Sequence, residues 1–351
     1  MNLTDSIQNK AKELGFDLVG FSHADTLDEE KQKLMKWISN GYAGKMEYLT
    51  RDPEARTNPE SFLKGSQTII SLAVNYYQSN QNRKELGTGK VSKYAWGKDY
   101  HLVLKNKLTE LELYIQSLPV NETIQTRSCV DAGIPMEKAL AVNAGLGFIG
   151  KNTNLITREY GSWVFLAEIY TTLKLDCIKN TLPISCGHCQ LCLDACPTSA
   201  FPVPYVLDAN RCISYLTIEL KDSIPIDLRE KMGHWAFGCD ICQDICPFNQ
   251  KWSKPLTCSD FIADKGVGSS MKIEDYSSCP DNQSFKKAYK TSPIVRAKRD
   301  GIIRNLLIVI ANQKDTRYLE IVKEIMANND NPVVHETAVW AINKLINNNK
   351  K

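Results

Sequence analysis

Helical and strand-like hydrophobic patterns alternate along the first half of the chain. Three segments place apolar residues at helical spacing, which predicts three helices: residues 5–14, 29–39 and 101–117. Three others predict strands. Residues 68–77 are a continuous apolar and β-branched run, typical of a buried strand. Residues 163–172 are another strand-like run, and residues 17–22 predict a short strand. Helices and strands that alternate around a central sheet predict an α/β domain over residues 1–178.

The last part of the chain shows the helical pattern alone. Residues 302–311 and 336–345 predict two similar apolar helices about 34 residues apart. The second follows Asp330-Asn-Pro-Val-Val-His, which has the Asp-x-Pro-x-Val pattern that opens a helix in HEAT-like repeats. We therefore predict a linker and HEAT-like helical repeats over residues 256–351. Because two helix pairs are few, we expect them to pack on the rest of the protein.

The composition of the 351 residues is that of a globular protein, with 43% hydrophobic and 24% charged residues. Mean hydropathy is −0.31, and no apolar run approaches the roughly 20 residues that a membrane helix needs. The N-terminus lacks the basic and apolar segments of a secretory signal. We therefore expect a cytoplasmic protein without a membrane partner. The net charge of +3 is too small to identify or exclude a polyanionic partner.

The twelve cysteines depart from this ordinary composition, because most of them lie in one region. Residues 1–128 contain none, whereas eight lie between Cys186 and Cys246. In a reducing cytoplasm, cysteines in such numbers serve metal or redox chemistry more often than disulfides. This shift in composition predicts a separate domain over residues 179–255.

Two cysteine runs in this domain have the spacing of iron–sulfur ligands. The first is C-x2-C-x2-C-x3-C-P, the bacterial ferredoxin run whose fourth cysteine binds the other cluster of a pair. The second run is one cysteine short, and Cys212 supplies the missing ligand. Eight thiolates then form two sets of four, each for one [4Fe–4S] cluster: Cys186, Cys189, Cys192 and Cys246, and Cys196, Cys212, Cys239 and Cys242. We predict a ferredoxin-like domain with two clusters.

Parts of these motifs also occur in sites of other kinds. Zinc ribbons use C-x2-C pairs, although zinc does not need the C-x3-C-P element that occurs in both runs. Gly145, Gly147 and Gly150 form G-x-G-x-x-G, as in dinucleotide sites, but they follow a helix-like stretch, where a tight turn is the simpler interpretation. The four remaining cysteines lack ligand spacing and are interpreted as ordinary thiols: Cys129, Cys177, Cys258 and Cys279.

Several motifs occur together in a specific combination. They are Ala95-Trp-Gly-Lys-Asp-Tyr-His101, Val130-Asp131 followed by Glu137-Lys-Ala, Ala144-Gly-Leu-Gly-Phe-Ile-Gly-Lys-Asn152, the two cysteine runs and the repeat-like tail. In this combination the chain resembles, over nearly its whole length, the epoxyqueuosine reductase family, cobalamin-dependent iron–sulfur enzymes that complete queuosine in tRNA. The resemblance implies an α+β multidomain fold, with an α/β cobalamin-binding domain, a ferredoxin-like two-cluster domain and C-terminal HEAT-like helices.

The resemblance also implies cofactors and site residues. The cofactors are cob(II)alamin and two [4Fe–4S] clusters, and Asp131 is the acid that protonates the epoxide oxygen. The implied cobalamin contacts are Arg56, Ser92, Asp131, Gly150, Leu155 and Leu166. Taken without the resemblance, Asp131 is a helix cap and Arg56 a solvated loop arginine. The chain has one residue more than the family between Asp131 and Pro135, which leaves the shape of that loop open.

The implied substrate is tRNA with epoxyqueuosine at the wobble position, so phosphates have to be held. Residues 290–351 contain eleven Lys and Arg against six Asp and Glu, typical of a phosphate-binding surface but also of a solvated helix face. The candidate tRNA contacts are Lys221, Arg296, Lys298, Arg299 and Arg304. The electron donor is unidentified. We expect a monomer, because nothing in the sequence requires a dimer.

Two other functions compete with reduction of epoxyqueuosine to queuosine. A corrinoid iron–sulfur reductase of a small molecule, similar to a reductive dehalogenase, has no need of the basic tail. A ferredoxin-type electron-transfer module leaves the long first half of the chain without a role. We therefore expect the tRNA-modifying reductase.

Overall fold

The computed structural model describes residues 2–79, 86–131, 135–177, 184–277 and 279–348. Its strands are β1 (Leu18–His23), β2 (Thr68–Asn75), β3 (Thr88–Val91), β4 (Thr126–Cys129), β5 (Phe148–Ile149), β6 (Leu155–Ile156), β7 (Val164–Thr171), β8 (Trp235–Phe237) and β9 (Ser270–Lys272).

The helices of the first half are α1 (Leu3–Glu13), α2 (Asp28–Ser39), α3 (Glu47–Thr50), α4 (Pro53–Thr57), α5 (Pro59–Phe62), α6 (Tyr100–Gln116) and α7 (Glu137–Asn143). Those of the second half are α8 (Leu191–Asp194), α9 (Ile213–Ile218), α10 (Ile226–Arg229), α11 (Ile241–Asp244), α12 (Pro247–Trp252), α13 (Ile273–Ser277), α14 (Asn282–Ala288), α15 (Lys298–Gln313), α16 (Leu319–Asn328) and α17 (Pro332–Asn348). Short 3-10 segments connect several of them.

A four-stranded sheet in the order β1-β2-β7-β4 forms the centre of the first half. All eight residues of β2 are buried, because helices cover both of its faces. Alternate residues of a strand point to opposite faces. Ile70 and Leu72 therefore join the core under α1 and α6, whereas Ile69 and Ala73 pack on the side of α7.

The six elements predicted for this half are present, with ends that shift by a few residues. The prediction of an α/β domain needs one correction, because such domains usually have parallel sheets. Here every neighbouring pair is antiparallel. Strand β4, at one edge of the sheet, was not predicted because its four residues include no long apolar run.

A second sheet joins three parts of the chain that composition separates. Its strand order is β8-β3-β9, with Lys90 opposite Trp235 in a parallel pair and Gly89 opposite Met271 in an antiparallel pair. Each strand comes from a different one of the three predicted domains. The boundaries near residues 178 and 255 therefore stay a prediction, and the three segments share one hydrogen-bonded layer.

Helix α15 lies in the middle of the C-terminal helices and is buried on all sides. Ten consecutive residues from Ile302 to Ala311 are buried, since α17 covers one side and the β8-β3-β9 sheet another. Asn305 donates through Nδ2 to Thr217 O and Ala236 O, both at 2.8 Å, which ties α15 to α9 and β8. Both apolar helices predicted for this region are confirmed as α15 and α17.

Within the ranges that the structure describes, no helix has the length and apolar character required to cross a bilayer.

Candidate functional site

A deep cleft runs between the four-stranded sheet and α9. Its larger chamber has a volume of about 800 Å³ and is lined by residues that include Asp131 and Cys212. A smaller chamber of about 300 Å³ continues from it and shares three lining residues: Tyr94, Tyr100 and Asp131. The implied acid and one predicted cluster ligand therefore face the same space.

Asp131 stands where the two chambers meet, directly after β4. Its φ of 46° lies in the left-handed region that a residue with a side chain rarely adopts. The Tyr100 hydroxyl donates a hydrogen bond to Asp131 Oδ2, and His101 Nε2 lies 3.8 Å from the same oxygen. The Asp131 side chain is nevertheless 60% exposed. It is therefore positioned by Tyr100 on one side and open to the cleft on the other. Residues 132–134 of the following loop lie outside the described residues.

Tyr100 is fixed by its own neighbours. Its ring stacks on His101 at 4.2 Å and on Phe165 at 4.3 Å between centroids. Asp99 caps α6 by accepting from the backbone of His101 and lies 2.8 Å from His101 Nδ1. Burial, and then the nearby Asp131, raise the pKa of Tyr100. The group that donates to Asp131 is thus a neutral phenol in a rigid position.

Glu137, the first residue of α7, binds the backbone of Asp131. Its Oε1 accepts a hydrogen bond from Asp131 N, and its side chain lines the smaller chamber. Burial, with a contribution from Asp131, raises the pKa of Glu137 to about 8. Behind it, the fully buried Glu168 of β7 accepts from the Cys129 thiol at 3.8 Å, and burial holds its pKa well above the usual range. Burial therefore favours the protonated forms of Glu137 and Glu168.

The smaller chamber is largely apolar on the side of β6 and β7. Leu155 and Leu166 line it together with Val164 and Phe165. Three of the predicted cobalamin contacts, Leu155, Leu166 and Asp131, therefore line the same chamber.

The other three predicted cobalamin contacts are not lining residues of the two chambers. Arg56 donates from its guanidinium to Tyr48 O at 2.8 Å. Ser92 is buried, and its hydroxyl donates to Asp240. Gly150 is enclosed, since a Cβ there would approach the side chains of its neighbours to 2.6–2.8 Å. Contact of these three residues with cobalamin therefore stays a prediction.

The first predicted set of four cysteines surrounds one small cavity, and we call it the outer cysteine set: Cys186, Cys189, Cys192 and Cys246. Lys151 donates from its backbone N to Cys186 Sγ at 3.4 Å and from Nζ to Gly187 O at 2.7 Å. Leu191, which lies between two of the cysteines, is 46% exposed. The outer cysteine set is therefore close to the surface and is braced by the segment that follows β5.

The second predicted set lies deeper, and we call it the inner cysteine set: Cys196, Cys212, Cys239 and Cys242. Burial raises the pKa of Cys239, and the neighbouring Cys212 and Cys196 thiols add to the rise. Burial acts in the same direction on Cys242, again with Cys239 and Cys212 as neighbours. Cys212 caps α9 and lines the larger chamber. The inner cysteine set thus reaches the wall of the cleft.

None of the twelve cysteines forms a disulfide in the structure. Among the described residues, no three His, Cys, Asp or Glu side chains converge as ligands of a single metal ion.

A buried ion pair that the sequence did not reveal lies beside the inner cysteine set. Lys93 Nζ is 2.7 Å from Asp244 and 3.7 Å from Asp240, and the side chains of Lys93 and Asp240 are each 2% exposed. Lys93 Nζ also lies 4.6 Å from the centre of the Trp163 ring. Asp240 directly follows Cys239, so this charge pair belongs to the surroundings of the inner cysteine set.

Two of the predicted tRNA contacts line the larger chamber, Arg296 and Lys298. Arg296 pairs with Glu219 through Nε at 2.8 Å, and its guanidinium lies 5.3 Å from the centre of the Tyr48 ring. Lys221 lies behind them, where Nζ donates to Ile218 O and Arg296 O. Burial lowers the pKa of Lys221 to about 8. Lys221 therefore supports the chamber wall.

The prediction that Arg304 contacts tRNA is wrong. Its side chain is buried, and its guanidinium donates to the carbonyl oxygens of Leu216, Leu220 and Asp222. Burial lowers the pKa of Arg304 to about 10. Arg299 is also mostly enclosed, with 13% of its side chain exposed and a hydrogen bond to Cys279 O. Both arginines anchor α15, because its apolar surroundings leave little room for solvent.

Some cleft residues carried no signal in the sequence. Tyr48 is 45% exposed at the mouth of the larger chamber, and Lys286 lines the same chamber from α14. They lie on short helices far apart along the chain, so no local spacing connects them. Tyr100, His101 and Glu137 do belong to the family motifs, and their place in those motifs was the available signal.

Two protein-family models match parts of the chain. The model described as a 4Fe-4S double cluster binding domain matches residues 185–249, which include all eight cysteines of the two sets. The model described as epoxyqueuosine reductase QueG, DUF1730, matches residues 56–132. The chain therefore has a domain that binds two four-iron clusters.

Curated relatives and solved structures extend this similarity to most of the chain. The epoxyqueuosine reductase of Leadbetterella byssophila is 41% identical over 86% of this chain and 97% of its own length. That of Escherichia coli K12 is 36% identical over 97% of this chain and 89% of its own. An epoxyqueuosine reductase solved with an epoxyqueuosine-modified stem loop of tRNA-Tyr covers 98% of this chain and 90% of its own, with 34% identity and a TM-score of 0.88.

The structure of the Bacillus subtilis enzyme with its catalytic aspartate loop swung out of the active site gives the same values. With relatives of this identity matching almost end to end, the chain belongs to the epoxyqueuosine reductase family.

Proposed function

We propose that the protein reduces epoxyqueuosine to queuosine at the wobble position of a tRNA anticodon loop. The observation that carries this function is the cleft itself. One continuous space is lined by a carboxylic acid, Asp131, and by a cluster cysteine, Cys212. A proton source and an electron source therefore meet in a site large enough for a nucleoside. The relative solved with a modified tRNA stem loop supports tRNA as the substrate.

The two cysteine sets define the direction of electron flow. The outer cysteine set lies near the surface, where an as yet unidentified donor can approach. The inner cysteine set is next, and Cys212 brings it to the cleft. In this proposal, electrons enter at the outer cluster and leave from the inner one.

The smaller chamber fits cob(II)alamin in its chemistry. Leu155, Leu166, Val164 and Phe165 give it an apolar wall suited to the face of a corrin ring, and Lys138 and Gln243 add polar groups at its edge. When bound and reduced, cobalamin supplies the two electrons that removal of the epoxide oxygen needs. The Leu155 and Leu166 side chains would hold it beside Asp131.

The larger chamber fits an unstacked base and its phosphates. Single-stranded RNA is commonly bound with bases splayed onto aromatic rings. Tyr48, exposed at the mouth and backed by Arg296, offers such a ring. Lys286, Arg296 and Lys298 place positive charge around it. These residues carry the RNA contacts in place of Arg299 and Arg304.

Within this site, the chain's own residues orient the substrate and supply protons. Tyr100 holds one oxygen of the Asp131 carboxyl group, which leaves the other free to donate to the epoxide oxygen. The catalytic aspartate loop of the solved Bacillus subtilis relative supports an aspartate in this role. In the same proposal, α15–α17 form HEAT-like repeats, the protein acts as a monomer, and it acts in the cytoplasm.

Turnover of modified tRNA tests this function. Protein loaded without oxygen with iron, sulfide and cobalamin should convert epoxyqueuosine to queuosine in tRNA when a chemical reductant is added. Asp131→Asn should retain its clusters and corrinoid, read from the visible spectrum, but lose most conversion. A fully loaded wild type that leaves the tRNA unchanged would rule out the function. Full conversion by Asp131→Asn would rule out the acid.

A matched pair of arginines tests the RNA surface. Arg296 and Arg317 are both half-exposed or more and both pair with a carboxylate through two nitrogens, but Arg317 does not line the cleft. Arg296→Ala should weaken tRNA binding and reduce its salt dependence. Arg317→Ala should leave both unchanged, and equal effects of the two would contradict the assignment.

A further inference from the structure

Removal of an epoxide oxygen as water consumes two protons, whereas one aspartate carboxyl holds one. Two C–O bonds break, two O–H bonds form on the departing oxygen, and two electrons from the cofactors make the new C=C bond. Resting on the proposed function, we propose that Glu137 reloads Asp131 with the second proton within each turnover. Glu137 would then be a positioning residue that acts through Asp131.

The first support is placement. Glu137 accepts from the backbone N of Asp131 through Oε1, which fixes the two residues against each other across the gap of five residues between them. Both side chains line the smaller chamber. Oε1 of Glu137 is used by the backbone. Among the described residues no hydrogen bond occupies the second carboxyl oxygen, so that oxygen can carry the proton. The two carboxyl groups therefore face the same small space.

The second support is protonation at the working pH. An aspartate that serves as acid twice in one turnover needs a neighbour that holds a proton at the working pH. The raised pKa of about 8 for Glu137 meets this requirement. Proton transfer breaks the O–H bond of Glu137 and forms one on Asp131. Glu137 later regains its proton from solvent in the cleft.

Other titratable groups face this pair and are less suited to the task. Tyr100 donates to Asp131, but burial raises its pKa and the phenol keeps its proton. Lys138 donates through Nζ to Thr153 O at 3.0 Å. Further titratable groups face Glu137 or Asp131 from β4, β7, α6, α3 and the segment before α6: Cys129, Glu168, Tyr170, His101, Tyr48 and Tyr94.

Glu168 closes the rear of this arrangement. It is fully buried, and its Oε1 has no hydrogen-bond partner among the described residues. It faces Glu137, and a charge on Glu137 adds to the effect of burial in raising the pKa of Glu168. The region behind Glu137 is therefore one in which carboxyl groups favour their neutral form.

The test uses Glu137→Gln, because the amide oxygen still accepts from Asp131 N while the proton is lost. Loaded Glu137→Gln should show kcat lowered about 10²-fold, the range for lost proton transfer, with an unchanged KM for modified tRNA. The wild-type rate should fall as pH rises through about 8, and this alkaline limb should be absent in Glu137→Gln. Glu29→Gln, at an 86% exposed side chain on α2, should match the wild type.

A second readout does not depend on turnover. Infrared titration of the protein without substrate should show a protonated carboxyl band that disappears near pH 8 in the wild type and is missing in Glu137→Gln. A wild type that converts tRNA, together with a Glu137→Gln that keeps full kcat and the alkaline limb, would overturn the reloading role alone. Loss of that limb in His101→Gln instead of Glu137→Gln would overturn it too. A wild type that converts no tRNA would remove the proposed function itself, whatever the infrared band shows.

Discussion

The outer and inner cysteine sets have the same ligands in number and kind but different surroundings. The outer cysteine set borders exposed residues such as Leu191 and is braced mainly by Lys151. The inner cysteine set lies beside the buried pair of Lys93 and Asp240 and reaches the cleft through Cys212. In the proposed function, the outer cysteine set therefore serves access and the inner cysteine set serves delivery. This difference predicts unequal consequences when the two sets are changed.

The largest effect is expected from the inner cysteine set. Cys212→Ala removes a ligand at the cleft wall, so the inner cluster should be lost and turnover should fall below detection. Iron content should drop from about eight to about four atoms per chain, since each cluster holds four irons. Retention of all the iron with normal turnover would show that Cys212 is not a ligand.

A smaller effect is expected from the outer cysteine set. Cys189→Ala should lose the outer cluster but keep the inner one, since the inner ligands and their buried surroundings remain. With a strong small reductant that enters the cleft, turnover should persist at a reduced rate, whereas turnover driven by a protein donor should stop. The turnover rates of one Cys189→Ala preparation with the small reductant and with the protein donor measure this difference. Equal loss with both would contradict the division into access and delivery.

Substitution of Lys93 tests the surroundings of the inner cysteine set without changing any cysteine. Lys93→Met leaves the buried Asp240 without its ammonium partner, which should lower the free energy of unfolding by about 3–5 kcal/mol. The loss of nearby positive charge should also make the reduction potential of the inner cluster more negative and leave the outer one unchanged. Denaturant melts and redox titration followed by electron paramagnetic resonance measure both. Lys251→Met, at an exposed position on α12 next to the outer cysteine set, is the control.

The smallest effects should come from the residues that brace each set. Lys151→Met removes the bond to Gly187 O and should speed iron release from the outer cluster to a chelator by about 10- to 100-fold. Asn152→Ala removes the bond to Cys242 O and should act on the inner cluster instead. The rate of iron release to a chelator, measured separately for each cluster, compares the effects of the two substitutions. The same cluster responding to both would show that the segment acts as one brace.

Local patterns predicted the parts of this molecule that depend on local spacing. The cysteine runs, the helical spacing of apolar residues in α6 and the continuous apolar run of β2 each lie within a short stretch of sequence. Both the ligand candidates and these two elements could therefore be predicted from the sequence. Strands β3, β8 and β9 have three or four residues each and no period of their own. Their pairing depends on partners far along the chain, which a single sequence does not reveal.

The same limit decides which site residues could be found. Asp131, Tyr100 and Glu137 all lie in family motifs, but the hydrogen bonds between them become visible only when α6 and α7 are brought to β4. The prediction that Arg304 contacts tRNA was wrong because it rested on local composition alone. A count of positive charges ignores burial. The middle of α15 is buried on every side, so its charged residue Arg304 donates to nearby carbonyl oxygens.

The β8-β3-β9 sheet has a consequence for how the protein is made. On the ribosome, Gly89 emerges long before its partner Met271 has been translated. Domains generally complete folding as units, and contacts between distant residues form slowly. The nascent chain therefore carries an unpaired strand while the cysteine runs are being synthesised. We expect the cleft to close only after α15 has been released, so iron–sulfur assembly can begin on a chain whose active site does not yet exist.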